Sequence, residues 1–333
     1  MWRGVAVLMV VILAVSAVLL ALAVHAVAPR TGLADLLSLV HPPDPTPGSL
    51  AWKINQDERV NLLLMARGGA GNDNPNFTDT MLVVSIRPRT RKATVISLPR
   101  RLWVKIPAPA QGEIKGQIYA AYALATAQNQ QFLKPQWQTA TGPGDLAAAT
   151  VAGAIGQPID YWVVVDSDAF AAIIDALGGV RISIPEVLDD PNYAGAETGK
   201  TIHIHFDPGP QTLDGQRAVE YARSRLSTSE TDRSRRQELV LVALLQSLRT
   251  AHFVLGDLAT IGPLANGLRT NLRPLELEEL KSLVSPIQIG QVKRVALEDS
   301  GLLEARSEGN VDILEPRDSS LTALHDFVSQ QLP

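Results

Sequence analysis

"DYWVVVDSDAFAAIIDALGGVRISIP", residues 160–185, decides the fold class. "DYWVVVD" (160–166) is a short aromatic and β-branched run, the pattern of a buried strand. "SDAFAAIIDALGG" (167–179) carries apolar residues at helical spacing and closes on glycine, which tolerates the left-handed C-cap. "VRISIP" (180–185) reads as strand again. Strand, helix and strand in so short a span are the grammar of an α/β domain.

The same grammar extends in both directions. Upstream, "RVNLLLMA" (59–66), "TMLVVSI" (80–86) and "ATVISLP" (93–99) read as strands, the last two joined as a hairpin by the basic turn "RPRTRK". Downstream, the turn region "HFDPGPQTLDG" is followed by expected helices at 214–222 and 232–251. The final section adds expected helices at 253–267, 274–283 and 319–330 around a strand "QVKRVAL" (291–297). No internal repeat is visible. The spacing offers no metal-type histidine pair, since His203 and His205 alternate as strand residues do.

Composition narrows the function classes. The chain has 333 residues, 46% hydrophobic and 19% charged, enough to bury a real core. Thirty basic against thirty-four acidic residues give a net charge of −4, so no global field draws the chain to nucleic acid, and any anion binding must be local. The absence of cysteine excludes disulfides, thiol catalysis and thiolate-bound metals.

The amino-terminal segment speaks to location. Residues 4–28, "GVAVLMVVILAVSAVLLALAVHAVA", carry no charge unless His25 is protonated, and about 20 apolar residues suffice to span a bilayer. The expectation is a transmembrane helix over 4–28, a cytoplasmic start of residues 1–3 and the remaining chain outside the membrane, as the positive-inside rule gives for Arg3. A cleaved signal peptide is the rival reading, since Ala26-Val27-Ala28 has the A-x-A form. Residues 29–50, containing "HPPDPTPG", read as a Pro-rich linker.

An arginine cluster is the strongest chemical signal. "ARSRLSTSETDRSRRQE" (222–238) holds Arg223, Arg225, Arg233, Arg235 and Arg236. On a helix starting after an Asp232 N-cap, Arg233, Arg236 and Gln237 share a face with Val240, Leu241, Leu244 and Leu248, which are core-facing, while Arg235 does not. An inward arginine is costly unless paired, and a bound anion at a helix N-terminus is one partner. If the chain extends after the preceding helix, Arg223 and Arg225 project to one side as well. Guanidinium forks suit phosphate oxygens. A solvated basic loop followed by a surface helix is the other reading of the same residues.

"TDTMLVVSI", "SLPR", "IDYWVVVD", "IIDALGGVRISIP", "QTLDGQRAVEYARSR" and "DRSRRQ" occur in this order over residues 57–250. The set resembles the LytR-CpsA-Psr family, bacterial transferases that attach glycopolymers to the cell wall. The resemblance implies an α-β-α sandwich with a central mixed sheet over 51–252, a section 253–333 completing the fold, and a membrane-anchored extracytoplasmic enzyme. It implies a polyprenyl-pyrophosphate-linked glycan as donor, peptidoglycan as acceptor, and phosphotransfer between them. Arg100, Arg223, Arg225, Arg233, Arg236 and Gln237 would bind the pyrophosphate, Asp79 would hold Mg2+, and Asp79 or Asp232 would serve the acceptor hydroxyl. A domain outside the membrane with this charge has no nucleic-acid partner. Asp232 also reads as a plain N-cap and Asp79 as a turn residue.

Two departures from the family pattern are visible. Gly68 stands where members often carry an aspartate after the first strand, leaving Asp73 in the glycine-flanked loop as a substitute. "Pro99-Arg100-Arg101" replaces Pro-Arg-Asp, and "KGQIYAAYA" leaves Lys115 and Gln117 as weak candidates. The apolar helices at 117–127, 169–177 and 239–248 would line a lipid tunnel or simply pack as core. A pyrophosphate hydrolase and a non-catalytic lipid-pyrophosphate binder are alternatives that use the same arginines.

Overall fold

The computed structural model describes residues 45–68, 75–112, 114–126, 131–194, 200–224, 236, 239–240, 243–244, 247, 267–284, 286–287, 291–309, 311–318 and 320–333. The expected transmembrane helix lies outside the described residues, as does most of the expected helix at 253–267. Among the described residues no helix is long and apolar enough to cross a membrane.

The centre is a six-stranded mixed sheet. Its strands are β1 (Val60–Arg67), β2 (Thr80–Arg87), β3 (Lys92–Leu98), β6 (Tyr161–Asp166), β11 (Leu268–Thr270) and β12 (Lys293–Ala296). Their order is β11-β6-β1-β2-β3-β12. β1 is parallel to β6 and β3 to β12, while β2 is antiparallel to both neighbours and β11 to β6. β1, β2, β3 and β6 read as nearly continuous apolar runs because both sheet faces are covered.

Alternation along those strands sorts the core into two layers. Leu62, Leu64, Leu82, Val84, Val95 and Val163 face α4 (Ser167–Ala176) and α5 (Gly215–Arg223). Leu63, Met65, Met81, Val83, Ile96, Trp162 and Val164 face α2 (Ala120–Thr126), α3 (Gly142–Ile155) and α7 (Thr322–Gln331). Helices on both faces of a mixed sheet make the expected α-β-α sandwich.

The same sorting bears on the expected lipid tunnel. Ala121, Tyr122 and Ala125 of α2 belong to one layer, whereas Ile173 and Ile174 of α4, and Val240 and Leu244, belong to the other. These three segments therefore do not line a common slot.

Around this frame the structure adds small hairpins. β4 (Trp103–Ile106) pairs with β5 (Ile114–Gln117), and β7 (Val180–Ile184) with β10 (Gly209–Leu213). β8 (Leu188–Ala194) pairs with β9 (Thr201–Phe206), and β13 (Leu303–Glu308) with β14 (Val311–Pro316). Two further helices, α1 (Leu50–Asn55) and α6 (Pro274–Val284), complete the elements named. The section after residue 252 is built into the sheet, since it supplies both edge strands.

One close approach depends on glycine. A Cβ at Gly144 would lie 2.2 Å from the Trp162 ring, and the same indole donates Nε1–H to Asp145 Oδ1 at 2.7 Å. The helix thus rests directly on the sheet at this point. Gly144→Ala should lower the unfolding free energy by about 1–3 kcal/mol, the range for overpacking a close-packed interior, read from the midpoint of urea denaturation.

Candidate functional site

Strands β1, β3, β6 and β12 run in one direction, so their carboxyl ends share one edge of the sheet with the amino ends of β2 and β11. Ligands of open α/β sheets bind outside the carboxyl ends of such strands. This edge carries Arg67, Gly68, Asp79, Arg100 and Asp166.

Two ion pairs of different character stand there. Asp79 Oδ1 accepts from Arg100 Nη1 at 2.8 Å, and both side chains are well exposed, at 46% and 35%. The turn that presents Asp79 is fixed by its neighbour Thr78, fully buried, whose Oγ1 donates to the Tyr119 carbonyl at 3.1 Å. Phe77 meets the Tyr119 ring edge-on, with centroids 4.6 Å apart. Asp79 is therefore an exposed charge on a well-anchored turn.

The second pair is enclosed. Arg67 Nη2 donates to Asp166 Oδ2 at 2.7 Å, and Nη1 donates to Asn76 Oδ1 at 3.1 Å. The other oxygen of Asp166 accepts from the Ala169 amide at 2.9 Å, capping α4. Ser167 Oγ donates to the Gly68 carbonyl at 2.8 Å, tying the same two strand ends together. Gly267 lies so close that a Cβ there would stand 2.3 Å from Asp166 Oδ1. Burial pushes the Tyr122 hydroxyl pKa up and Asp166 adds to the rise, while Arg67 and Arg269 pull it back, which places all four in one electrostatic neighbourhood. This neighbourhood was missed in the sequence, where its members are scattered over four separate segments.

The arginine cluster is partly described. Arg225, Asp232, Arg233, Arg235 and Gln237 lie outside the described residues, as does Asp73. α5 ends at Arg223, and Ser224 leaves it in an extended conformation, φ −52° and ψ 136°, as the sequence suggested. Ser224 is buried and donates Oγ–H to Asp190 Oδ2 at 2.6 Å. Arg236 points inward with Val240 and Leu244, as its phase required.

Backbone carbonyls hold it in that direction. Arg236 Nε donates to the Tyr221 carbonyl at 2.9 Å and Nη2 to the Ser224 carbonyl at 2.5 Å. The last carbonyls of α5 and the negative end of its dipole thus meet an inward cation.

The remaining candidates are dispersed. Arg101 is exposed, with Nη2 4.0 Å from Glu298 Oε1, and Gln117 donates to the Asp312 carbonyl at 2.9 Å. Lys115 lies exposed on β5.

A profile of the LytR_cpsA_psr family matches residues 41–326. The chain belongs to this family. Among curated members, the Bacillus subtilis polyisoprenyl-teichoic acid–peptidoglycan teichoic acid transferase TagV is 25% identical over 261 residues, covering 77% of this chain and 60% of TagV. The like-named TagU of Oceanobacillus iheyensis is 27% identical over 239 residues, covering 70% of this chain and 65% of TagU. The chain thus spans less than two thirds of the length of either relative. In three dimensions the crystal structure of B. subtilis TagV superposes with a TM-score of 0.57 at 23% identity, over 83% of this chain and 98% of that one. A structure of TagT bound to LIIa-WTA gives 0.56 at 20%, over 88% and 94%. These likenesses establish the mixed α/β family fold.

The two ion pairs should respond differently to mutation. Asp166→Ala leaves Arg67 charged and unpaired while uncapping α4, and should cost about 3–5 kcal/mol of stability. Asp79→Ala and Arg100→Ala remove an exposed pair and should each cost less than about 1 kcal/mol. Chemical denaturation of the three variants in parallel checks both statements.

Proposed function

We propose that this chain is a membrane-anchored, extracytoplasmic phosphotransferase that moves a glycopolymer from a polyprenyl-pyrophosphate carrier onto peptidoglycan. The observation that carries this reading is the exposed Asp79–Arg100 pair at the carboxyl edge of the sheet, in a member of the family. The printed names of TagV and TagU, and the TagT complex with LIIa-WTA, favour a teichoic-acid-like donor.

In this reading the hydroxyl oxygen of the acceptor attacks the phosphorus that bears the glycan. A new P–O bond forms to the acceptor, the bond from that phosphorus to the bridging oxygen breaks, and polyprenyl phosphate departs with the bonding electrons. The acceptor proton passes to a carboxylate, Asp79 or Asp232. Such transfers ask the protein chiefly for positioning and for neutralisation of the leaving phosphate.

Arg100 supplies neutralisation. Among the described residues its partner is an exposed carboxylate, so exchanging Asp79 for a phosphate oxygen exposes no buried charge. Arg223, with Arg225, Arg233 and Gln237, approaches the same pyrophosphate. Arg236 acts mainly by pinning the exit of α5, which sets the direction in which Arg223 leaves the helix. Magnesium, when bound, would offset the pyrophosphate charge. Asp79 suits it as an oxygen ligand, and because Gly68 brings no second carboxylate the ion would rest largely on substrate oxygens, a usual arrangement for this cation.

The full-length chain in lipid nanodiscs, given a polyprenyl-pyrophosphate glycolipid and peptidoglycan fragments, tests the proposal. Transfer should require both acceptor and magnesium. Arg100→Ala and Asp79→Asn should lower the rate about 10²–10³-fold with little change in stability. Release of phosphorylated glycan without acceptor would indicate a hydrolase, and binding without turnover would indicate a lipid-pyrophosphate binder. A chelator that leaves the rate unchanged would remove magnesium from the scheme.

A further inference from the structure

We propose that Asp189, His203 and His205, on the β8–β9 hairpin, form a site for a late first-row divalent transition-metal ion, with Zn2+ as its representative. The three residues lie on a two-stranded sheet of their own, and their metal binding can be measured independently of the transfer reaction.

The strand pairing builds the constellation. His203 and His205 are two residues apart on β9, so both imidazoles stand on the same side of the hairpin. Asp189 lies directly opposite His205 in the antiparallel register. Directly opposed residues bring their Cβ atoms within about 5 Å, close enough for a shared ligand. The alternation that argued for an ordinary strand is therefore what aligns the two rings.

The distances fit coordination. His203 Nε2 and His205 Nδ1 each lie 2.8 Å from the same oxygen, Asp189 Oδ1. The three donor atoms lie within 4.8 Å of one another. In a tetrahedral zinc site with bonds of about 2.0–2.1 Å, neighbouring donors stand about 3.3 Å apart, so small side-chain rotations open the cluster around an ion. The side chains are exposed at 52% for Asp189, 59% for His203 and 47% for His205, which gives an ion direct entry and leaves room for water ligands.

The surroundings favour this role. His205 Nε2 lies 3.3 Å from Asp207 Oδ1, so Nε2–H can donate to the carboxylate, which fixes the tautomer that presents Nδ1 to the metal. Metal-bound histidines almost always make such an outer contact. The backbone is braced from the other side, where Arg217 Nη2 donates to the His205 carbonyl at 2.5 Å and its guanidinium stacks 3.8 Å from the Phe206 ring centroid. The Arg217 charge is itself met by Glu220 at 3.0 Å. Two imidazoles and one carboxylate select zinc, copper or nickel over magnesium, which prefers an all-oxygen shell.

Calorimetric titration of ZnCl2 into the untagged full-length chain, purified in detergent and stripped of metal, tests the site. One ion should bind per chain, without competition from millimolar magnesium. The His203→Ala/His205→Ala variant should abolish that binding while keeping its circular dichroism, and Asp207→Asn should weaken it about tenfold. Cobalt(II) should give visible d–d absorption that the double variant lacks. Zinc binding of undiminished affinity in the double variant, or none in the parent chain, would overturn the assignment.

Discussion

The enclosed pair between Arg67 and Asp166 is the constraint on which the working end of the domain depends. It closes the ends of two parallel neighbours, because Arg67 and Asp166 are partners in the register of β1 and β6. Asp166 spends one oxygen on Arg67 and the other on the first turn of α4, so sheet and helix are fixed by one carboxylate. A buried pair is tolerable only when its remaining groups are satisfied; Asn76 and Ala169 meet part of that demand, Gly267 leaves the space, and Arg67 Nε has no partner among the described residues. Gly68 and Asn76, the start of α4 and Gly267 at the entry to β11 are thereby placed together.

Against this fixed centre, the neighbouring charges divide into those committed and those exchangeable. Arg236 is committed to the carbonyls that end α5, and removing it would strand them in the interior. Asp79 and Arg100 hold each other in solvent, where a pair contributes little to stability and can part at small cost. The fold thus keeps its costly electrostatics for geometry and leaves its cheap electrostatics at the exposed edge of the sheet.

Much of this was legible in the sequence, and the rest was hidden for identifiable reasons. The long apolar runs of β1, β2, β3 and β6 announced a sheet buried on both faces, and the glycines after α4 announced its end. α3 escaped because "GPGDLAAATVAGAI" opens on glycine and proline and is apolar on nearly every side, so no amphipathic stripe marks it. β8, "LDDPNYA", contains proline and two acids and is interrupted by an irregularity between Asp190 and Tyr193. At the candidate site, the TDT and LPR segments led to Asp79 and Arg100, which the fold does bring together. Arg67 and Asp166 are far apart in the chain and gave no local signal. The inward phase of Arg236 was readable, but its acceptors are backbone carbonyls, which every residue possesses and no residue advertises.

The position of β11 and β12 at opposite borders of the sheet bears on how the chain reaches this state. Both strands are short, and both come from the last quarter of the sequence. As the polypeptide emerges from its amino end, β6 and β3 are complete long before their outer neighbours exist, and each offers an open ladder of amide and carbonyl groups. Such borders invite pairing with foreign strands. Closure waits on contacts of long sequence separation, which form slowly. The tail of the chain therefore acts in folding as a late seal, and the interval before it arrives is when the nascent domain is most exposed to misassembly.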